Sequence, residues 1–574
     1  MARRIPRDHS VIGLTLLVAA ALGLGVGYAM VVPFGEKPDE PSHMARIVYE
    51  ARFGRTPPVA SAPVFPNVVT YEAVQPPFYY WLATWVVRRL PDIEWSISPA
   101  RFVGCVERSR RFTLDAPSDP PLHATLLRLL GLACAMGSGV LVFLTARMLG
   151  GTQSQVILAT GLSLLTPQVL FIASSVTNDT LALVMGSLVL ALAVHAGAAG
   201  GVWACAAGAL AVLGFGVKLN LAPYLAGAPL LMVAARPRRP GRALGMFVVG
   251  VAAVAAPGVL LHRWHAWVDQ RGFIGRIAVL PDTLSKDYLS AIPDLFSSYW
   301  ARFGWMDIEP ATAVKIVWLV ILVLATLGWM ARSHAAGRQW LSLWPMLIAA
   351  VLGWMLTLSS SHQVQGRFLF PFAGVISLLV ARGIGVLPLP GLGVVIPIAL
   401  VGSNVVSLCQ LHGDYRPAEW PDELLMDAHQ CSADRIVLET LSHGAEVGQT
   451  FHCTHPGLRA VDLVFEGRTV AASDIVMTLR DEASSRVLRD VTVPSKLVVP
   501  RRYHRFYFAP VMKSGNRLLR FTVRLAEQDP EGTLSLWFAL GDTYLDGALH
   551  VAGVPREGDL RFVTWADKAQ EVTP

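Results

Sequence analysis

The chain has 574 residues, 53% of them hydrophobic and only 16% charged, with a formal net charge of +7. Soluble proteins average about 25% charged residues. That deficit, with a mean hydropathy of +0.47, excludes disordered, collagen-like, coiled-coil and disulfide-stapled chains. It describes a polytopic membrane protein. No basic patch with interleaved aromatics is present, so nucleic acid is not an expected partner.

A bilayer core of about 30 Å takes roughly 20 apolar helical residues to cross. The first span is predicted over 11–34, after Arg3, Arg4 and Arg7. Its uncharged run exceeds the roughly 7–15 apolar residues of a signal peptide, so it reads as a retained anchor. Further spans are predicted near 122–146, 156–176, 179–198, 201–217, 219–235, 243–261, 312–331, 340–358, 368–382 and 387–410, about eleven in all. With the N-terminus cytoplasmic, the basic loop 236–242 and the loop holding Arg332 and Arg338 fall inside, as the positive-inside rule requires. The odd count sends the C-terminal region outside. The positive balance is then mainly topogenic, with a secondary attraction to anionic membrane lipids.

The predicted domains are a membrane module over 1–411 and a periplasmic or extracellular tail over 412–574. The module carries two outer loops, 35–121 and 263–311. In the first loop Met44, Ile47, Val48 and Ala51 recur at helical spacing between Pro41 and Gly54, a start and a stop. They predict a short amphipathic helix on the membrane surface. A second helix is predicted at the aromatic run Phe78, Tyr79, Tyr80, Trp81 and Trp85. In the tail, alternating patterns at 460–465, 474–479, 518–523 and 534–538, separated by turn residues, predict a β-sandwich or jelly roll. Cys134 and Cys205 fall in spans. Cys431 and Cys453 lie in the tail, where an oxidising compartment permits a disulfide between them.

Asp39 and Glu40 follow the first span between two prolines. Two readings stand there: helix capping, or a base at a membrane-edge cavity. His43, one turn on, adds a possible divalent-metal set of Asp39, Glu40 and His43. Polar groups also gather at the predicted outer ends of other spans: Asn178 and Asp179, Lys218, Arg302, and His362, Gln365 and Arg367. Charge at membrane depth is expensive and usually faces a wet cavity or a protein interior. One acid corner facing several cations suits an anionic lipid head group.

Taken together, Pro38–His43, Gln75–Tyr80, Trp300–Trp305 and Gln365–Pro371 resemble the C-type membrane glycosyltransferases, which include the protein O-mannosyltransferases and the lipid A aminoarabinose transferases. They resemble more specifically the DUF2142 family of bacterial multi-span proteins. The resemblance covers about residues 10–410 and implies a GT-C-like helical module in a bacterial inner membrane. It also implies a polyprenyl-phosphate-linked sugar donor and a glycan, glycolipid or protein acceptor on the outer side. Carried over, Asp39 is the general base and Glu40 its neighbour or stabiliser. Arg367 is the phosphate clamp, with Lys218 and Arg302 next. His43, Gln75, His362, Gln365, Asn178 and Asp179 are orienting groups. Gln75 departs from the basic residue or histidine common before the Pro-Pro pair. No Trp-Trp-Asp motif is present, which disfavours transfer to asparagine. A lipid or glycolipid transporter and an inactive glycan-binding relative are the alternatives, and Asp39→Asn separates them from an enzyme.

Overall fold

The computed structural model describes residues 9–57, 72, 75–91, 96–99, 102–107, 112–115, 120–199, 201–235, 240–260, 291–331, 338–361, 365–417, 424–430, 436–441, 444–467, 473–500, 503–527, 534–539, 544 and 546–568. The chain divides into two units. The helical unit comprises Met1–Thr56, Val74–Ile93 and Ser118–His412. The strand-rich unit comprises Pro57–Ala73, Glu94–Pro117 and Gly413–Pro574, so two stretches of the first outer loop belong with the tail.

The helical unit contains α1 (His9–Val31), α2 (Glu40–Phe53), α3 (Phe78–Val87), α4 (Leu122–Met148), α5 (Gln153–Leu164), α6 (Pro167–Ala173), α7 (Asp179–Ala199) and α8 (Gly201–Phe215). It continues with α9 (Tyr224–Ala234), α10 (Pro240–Leu260), α11 (Ile292–Trp300), α12 (Thr312–Ala331), α13 (Trp344–Ser361), α14 (Ala373–Gly385) and α15 (Leu392–Asp414). Among the described residues, six helices are long and apolar enough to cross a membrane. These are α1, α4, α7, α12, α15 and the span Gly366–Gly385, where a 3₁₀ turn over Gly366–Phe372 runs into α14. The protein is therefore a multi-pass membrane protein.

α5 and α6 are apolar enough to cross together and are bent by 50° at their junction, the form of a broken span or a re-entrant loop. The bend has a local cause: Pro167 supplies no N–H, and the Thr166 hydroxyl turns back to the Leu162 carbonyl at 2.7 Å. Shorter apolar helices occupy the other predicted positions, at 201–215, 219–234, 240–256 and 339–355. α9 carries Pro229 in its interior. Gly208 and Gly250 let α8 and α10 meet backbone to backbone. A Cβ at either would overlap Phe247 or Cys205 main chain, a common way for helices to associate in lipid.

α2 differs from expectation. It starts and stops near Pro41 and Gly54 as predicted, with Gly54 left-handed at φ 63°. However, Glu40, Ser42, His43, Arg46 and Glu50 are buried. Met44, Ala45 and Ile47 are buried as well, so protein covers both its polar and its apolar stripe. The helix is not laid on the membrane by an apolar face.

The second unit is all antiparallel. A hairpin from the first loop pairs β1 (Ser96–Pro99) with β2 (Phe112–Asp115). The tail holds β3 (Leu424–Gln430), β4 (Ile436–Thr440), β5 (Val447–Cys453), β6 (Leu458–Glu466), β7 (Asp474–Asp481), β8 (Val487–Pro494) and β9 (Tyr503–Val511). It ends with β10 (Arg517–Leu525), β11 (Ser535–Ala539), β12 (Leu549–Val551), β13 (Val554–Arg556), β14 (Asp559–Leu560) and β15 (Phe562–Asp567). One sheet runs β13-β12-β5-β10-β7-β8. The other runs β14-β11-β6-β15-β3, with β4 on β11 and β9 on β6. Phe451 and Phe521 of the first sheet meet Phe562 of the second at 5.9 and 5.5 Å between ring centroids. The aromatic contact closes a sandwich core, as the alternating patterns predicted. Cys453 is a buried free thiol whose sulfur lies 3.2 Å from the His455 carbonyl. Cys431 lies outside the described residues.

Candidate active site

Asp39 sits just before α2 with φ 59° and ψ 2°, left-handed, and its side chain makes no capping hydrogen bond. A left-handed non-glycine residue is uncommon, and aspartate is among the few that tolerate it. The carboxylate is aimed instead at Arg367, whose Nη2 lies 2.5 Å from Asp39 Oδ2. Arg367 Nη1 also reaches Asp179 Oδ2 at 3.7 Å. Asp179 Oδ1 takes the Lys218 ammonium at 2.5 Å. Lys218 also donates to Asn178 Oδ1 at 3.0 Å, and Asn178 Nδ2 donates to Gln75 Oε1 at 3.4 Å. Gln365 Oε1 accepts from Arg367 Nε at 2.5 Å. The Phe368 ring lies 5.8 Å from the Arg367 guanidinium and 5.9 Å from the Lys218 ammonium. Two acids and two cations thus form one chain, Asp39–Arg367–Asp179–Lys218, drawn from four separate places in the sequence.

Each member is placed by local chemistry. Asp179 opens α7, where an acid is favoured by the free N–H groups of a first turn. Arg367 follows Gly366, whose N–H meets Ser298 Oγ at 2.7 Å. A Cβ at Gly366 would run into the Tyr299 main chain. The close approach of α11 therefore demands glycine there and fixes where Arg367 begins. About a quarter of the Asp39 side chain remains exposed (24%), whereas Asp179 is closed off at 1%.

Burial works to raise the Asp39 carboxyl, but Arg367 and Lys218 outweigh it and hold the group below the ordinary carboxylate range. His43 Nδ1 is 2.7 Å from the Tyr80 hydroxyl. Burial pushes this imidazole down to about 3, so His43 is neutral at neutral pH.

Two expected members stand elsewhere. Glu40 has its oxygens filled. Arg128 Nε and Nη2 donate to it at 2.8 Å each, and the N–H groups of Val176 and Gly35 add contacts at 3.1 Å. Arg302 is paired with Asp294 and Glu309, 3.0 Å from each. His362 lies outside the described residues. Arg128 was missed in the sequence although it carries a signal, a lone charge within the 122–146 span.

The residues proposed for a divalent metal do not fit one. Glu40 is saturated, His43 is turned to Tyr80, and Asp39 already shares Arg367 with Asp179. Among the described residues no cluster of three histidines, cysteines or acids could hold an ion. The chemistry this site can do is proton acceptance at Asp39 beside two cations suited to a phosphate.

No family model matches the chain, so the likeness to the DUF2142 family remains one of short motifs. No curated protein matches it. Among solved structures, ArnT from Cupriavidus metallidurans in the apo state is 16% identical with a TM-score of 0.38, covering 66% of this chain and 61% of that one. The same protein bound to undecaprenyl phosphate is 14% identical with a TM-score of 0.38, covering 69% and 75%. The arabinosyltransferase EmbB from Mycobacterium smegmatis is 10% identical with a TM-score of 0.37, covering 94% and 65%. The chain thus spans about three fifths of the first of these (61%).

Proposed function

We propose that the protein is an integral-membrane glycosyltransferase. It would transfer a sugar from a polyprenyl-phosphate donor to a hydroxyl of a cell-envelope glycan, glycolipid or protein, with inversion. The proposed setting is the outer side of the inner membrane, with the N-terminus cytoplasmic and the β tail outside. The observation that carries this reading is the Asp39–Arg367 pair with Lys218 next in line. One partly exposed proton acceptor stands directly beside one cation suited to a phosphate, with a second linked to it through Asp179. The motif resemblance supplies the donor class.

In this mechanism the acceptor oxygen attacks the anomeric carbon from the face opposite the phosphate. Its proton passes to Asp39 Oδ2, the new glycosidic bond forms, and the bond to the phosphate oxygen breaks. The leaving polyprenyl phosphate gains negative charge, which Arg367 and Lys218 stabilise. The resting ion pair makes this sequential. A donor phosphate that draws Arg367 away deprives Asp39 of its cation, so its carboxylate becomes a stronger base only when donor is bound.

The test uses purified protein in nanodiscs, supplied with polyprenyl-phosphate sugars extracted from the source membranes and with the source envelope glycans. Donor consumption is followed by mass spectrometry for wild type and Asp39→Asn. Loss of one donor species with wild type alone supports the reading and gives the sugar by mass. Loss with neither protein, while both still bind donor and a repeat with added Mg²⁺ or Mn²⁺ also fails, overturns it.

A further inference from the structure

The residue beside the proposed base is more informative than its expected role. Glu40 is fully buried and accepts four hydrogen bonds from three separate elements: α4 through Arg128, the loop after α6 through Val176, and the loop before α2 through Gly35. Arg128 is equally closed off and spends its other donors on main chain. Nη1 reaches Ala29 O at 2.8 Å and Val32 O at 3.1 Å, and Nη2 reaches Pro33 O at 3.2 Å. Those carbonyls are at or just past the C-terminal end of α1, where helix carbonyls lack intrahelical partners. One ion pair therefore ties the end of α1 to the first residue of α2. Between these two anchors lies the turn that carries Asp39.

The same loop is held from two other sides. Lys37 donates to the Ser174 carbonyl and to Ser174 Oγ at 2.8 Å. Trp305 Nε1 donates to Gly35 O at 2.9 Å, which gives the Trp-Ala-Arg-Phe-Gly-Trp segment a place in the structure. Asp39 needs such support. A left-handed non-glycine residue is uncommon even for aspartate and persists where its surroundings hold it.

We propose that Glu40 and Arg128 are positioning residues: their ion pair clamps the loop 33–40 so that Asp39 stays left-handed with its carboxylate on Arg367. The rate effects of this clamp rest on the glycosyltransferase reading, and its structural effects do not. Replacing a bare buried ion pair by apolar side chains is often neutral, but this pair also satisfies the carbonyls of Ala29, Val32 and Pro33 and the N–H groups of Gly35 and Val176, and leaving these unpaired carries a cost of its own. Its removal should therefore cost the geometry of the loop and some stability with it.

The test compares wild type, Glu40→Met/Arg128→Met and Arg128→Lys in nanodiscs. Two quantities are read: hydrogen exchange of peptides covering 33–40 and 174–178, and kcat and KM for the lipid-linked donor. The double variant is expected to fold but melt below wild type, exchange at least about tenfold faster in those peptides, and lose at least about tenfold in kcat with KM within about twofold. Arg128→Lys, which can reach Glu40 or the α1 carbonyls but not both, should fall between. A folded double variant with wild-type kcat, or with unchanged exchange, overturns the clamp. If wild type shows no transfer but exchange rises as expected, the glycosyltransferase reading fails and the clamp stands.

Discussion

Arg367 Nη2 lies 2.5 Å from Asp39 Oδ2, a pair formed by residues 328 positions apart. Because this guanidinium neutralises the acid at rest, the two halves of the pair should fail differently. Asp39→Asn removes the proton acceptor and releases Arg367 from an internal competitor. Turnover should drop at least about a hundredfold, while affinity for polyprenyl phosphate stays the same or tightens. Arg367→Ala should weaken that binding instead. Titration of both variants with the bare lipid phosphate checks this, and weaker binding by Asp39→Asn would contradict it.

His43 provides a pH signature. Burial holds its imidazole at about 3, against about 6.5 when unfolded. Between these values the unfolded chain takes a proton that the folded chain refuses. Stability is therefore lost as pH falls from about 6.5 toward 3, by at most about 1.4 kcal/mol per pH unit from this group. Asp39 has the opposite chemistry and a different window. Its depressed carboxyl contributes stability above the unfolded value of about 3.9 and loses it only as pH falls further, through the folded value. Between about pH 7 and 4.5 the histidine effect stands clear of it. His43→Gln should show a smaller drop in unfolding midpoint over that interval, scanned at one rate. A drop equal to wild type would mean that the folded protein protonates His43.

Much of this site was legible because charge is scarce in the membrane module. Asp39, Asn178, Asp179, Lys218 and Arg367 stood out as polar groups at predicted outer span ends, and the fold brings them together. What was hidden is pairing. Glu40 and Arg302 look as available as their neighbours until Arg128, Asp294 and Glu309 are placed beside them. The polar stripe of α2, residues 39, 43, 46 and 50, has helical spacing just as its apolar residues do. Periodicity alone does not say that protein covers both stripes, as it does at Met44 and Ile47 as well as at His43 and Arg46. The tail was easier, since buried apolar residues recurring at every second position, as Leu519, Phe521, Val523 and Leu525 do in β10, leave little freedom in a sheet.

Gly366 offers a steric test of the same geometry. Alanine there must displace the Tyr299 main chain or the start of the Gly366–Phe372 turn, and Arg367 is the next residue. Gly366→Ala should lower both donor affinity and turnover by about tenfold or more, given the cost of ångström-scale misplacement. Gly402 in α15 has open space where its Cβ would go, and alanine is the better helix former. Gly402→Ala should therefore leave both within about twofold. Equal behaviour of the two variants would show that the α11 contact does not set the position of Arg367.

In the tail, Arg505 clamps Asp462 through Nε and Nη2 at 2.7 and 2.8 Å. Trp565 Nε1 donates to the same carboxylate at 3.0 Å, and the guanidinium lies 4.5 Å from the Trp565 ring. Asp462 is fully buried. Asp462→Ala therefore strands a covered guanidinium and an indole N–H, and breaking such a pair costs about 3–5 kcal/mol. The double variant Asp462→Ala/Arg505→Met leaves no unpaired charge and should recover most of that loss. Pulse proteolysis across a urea series, read at a C-terminal tag on the full chain in nanodiscs, measures both. If the double variant is no more resistant than Asp462→Ala, the loss comes from the Trp565 hydrogen bond and packing rather than from the stranded charge.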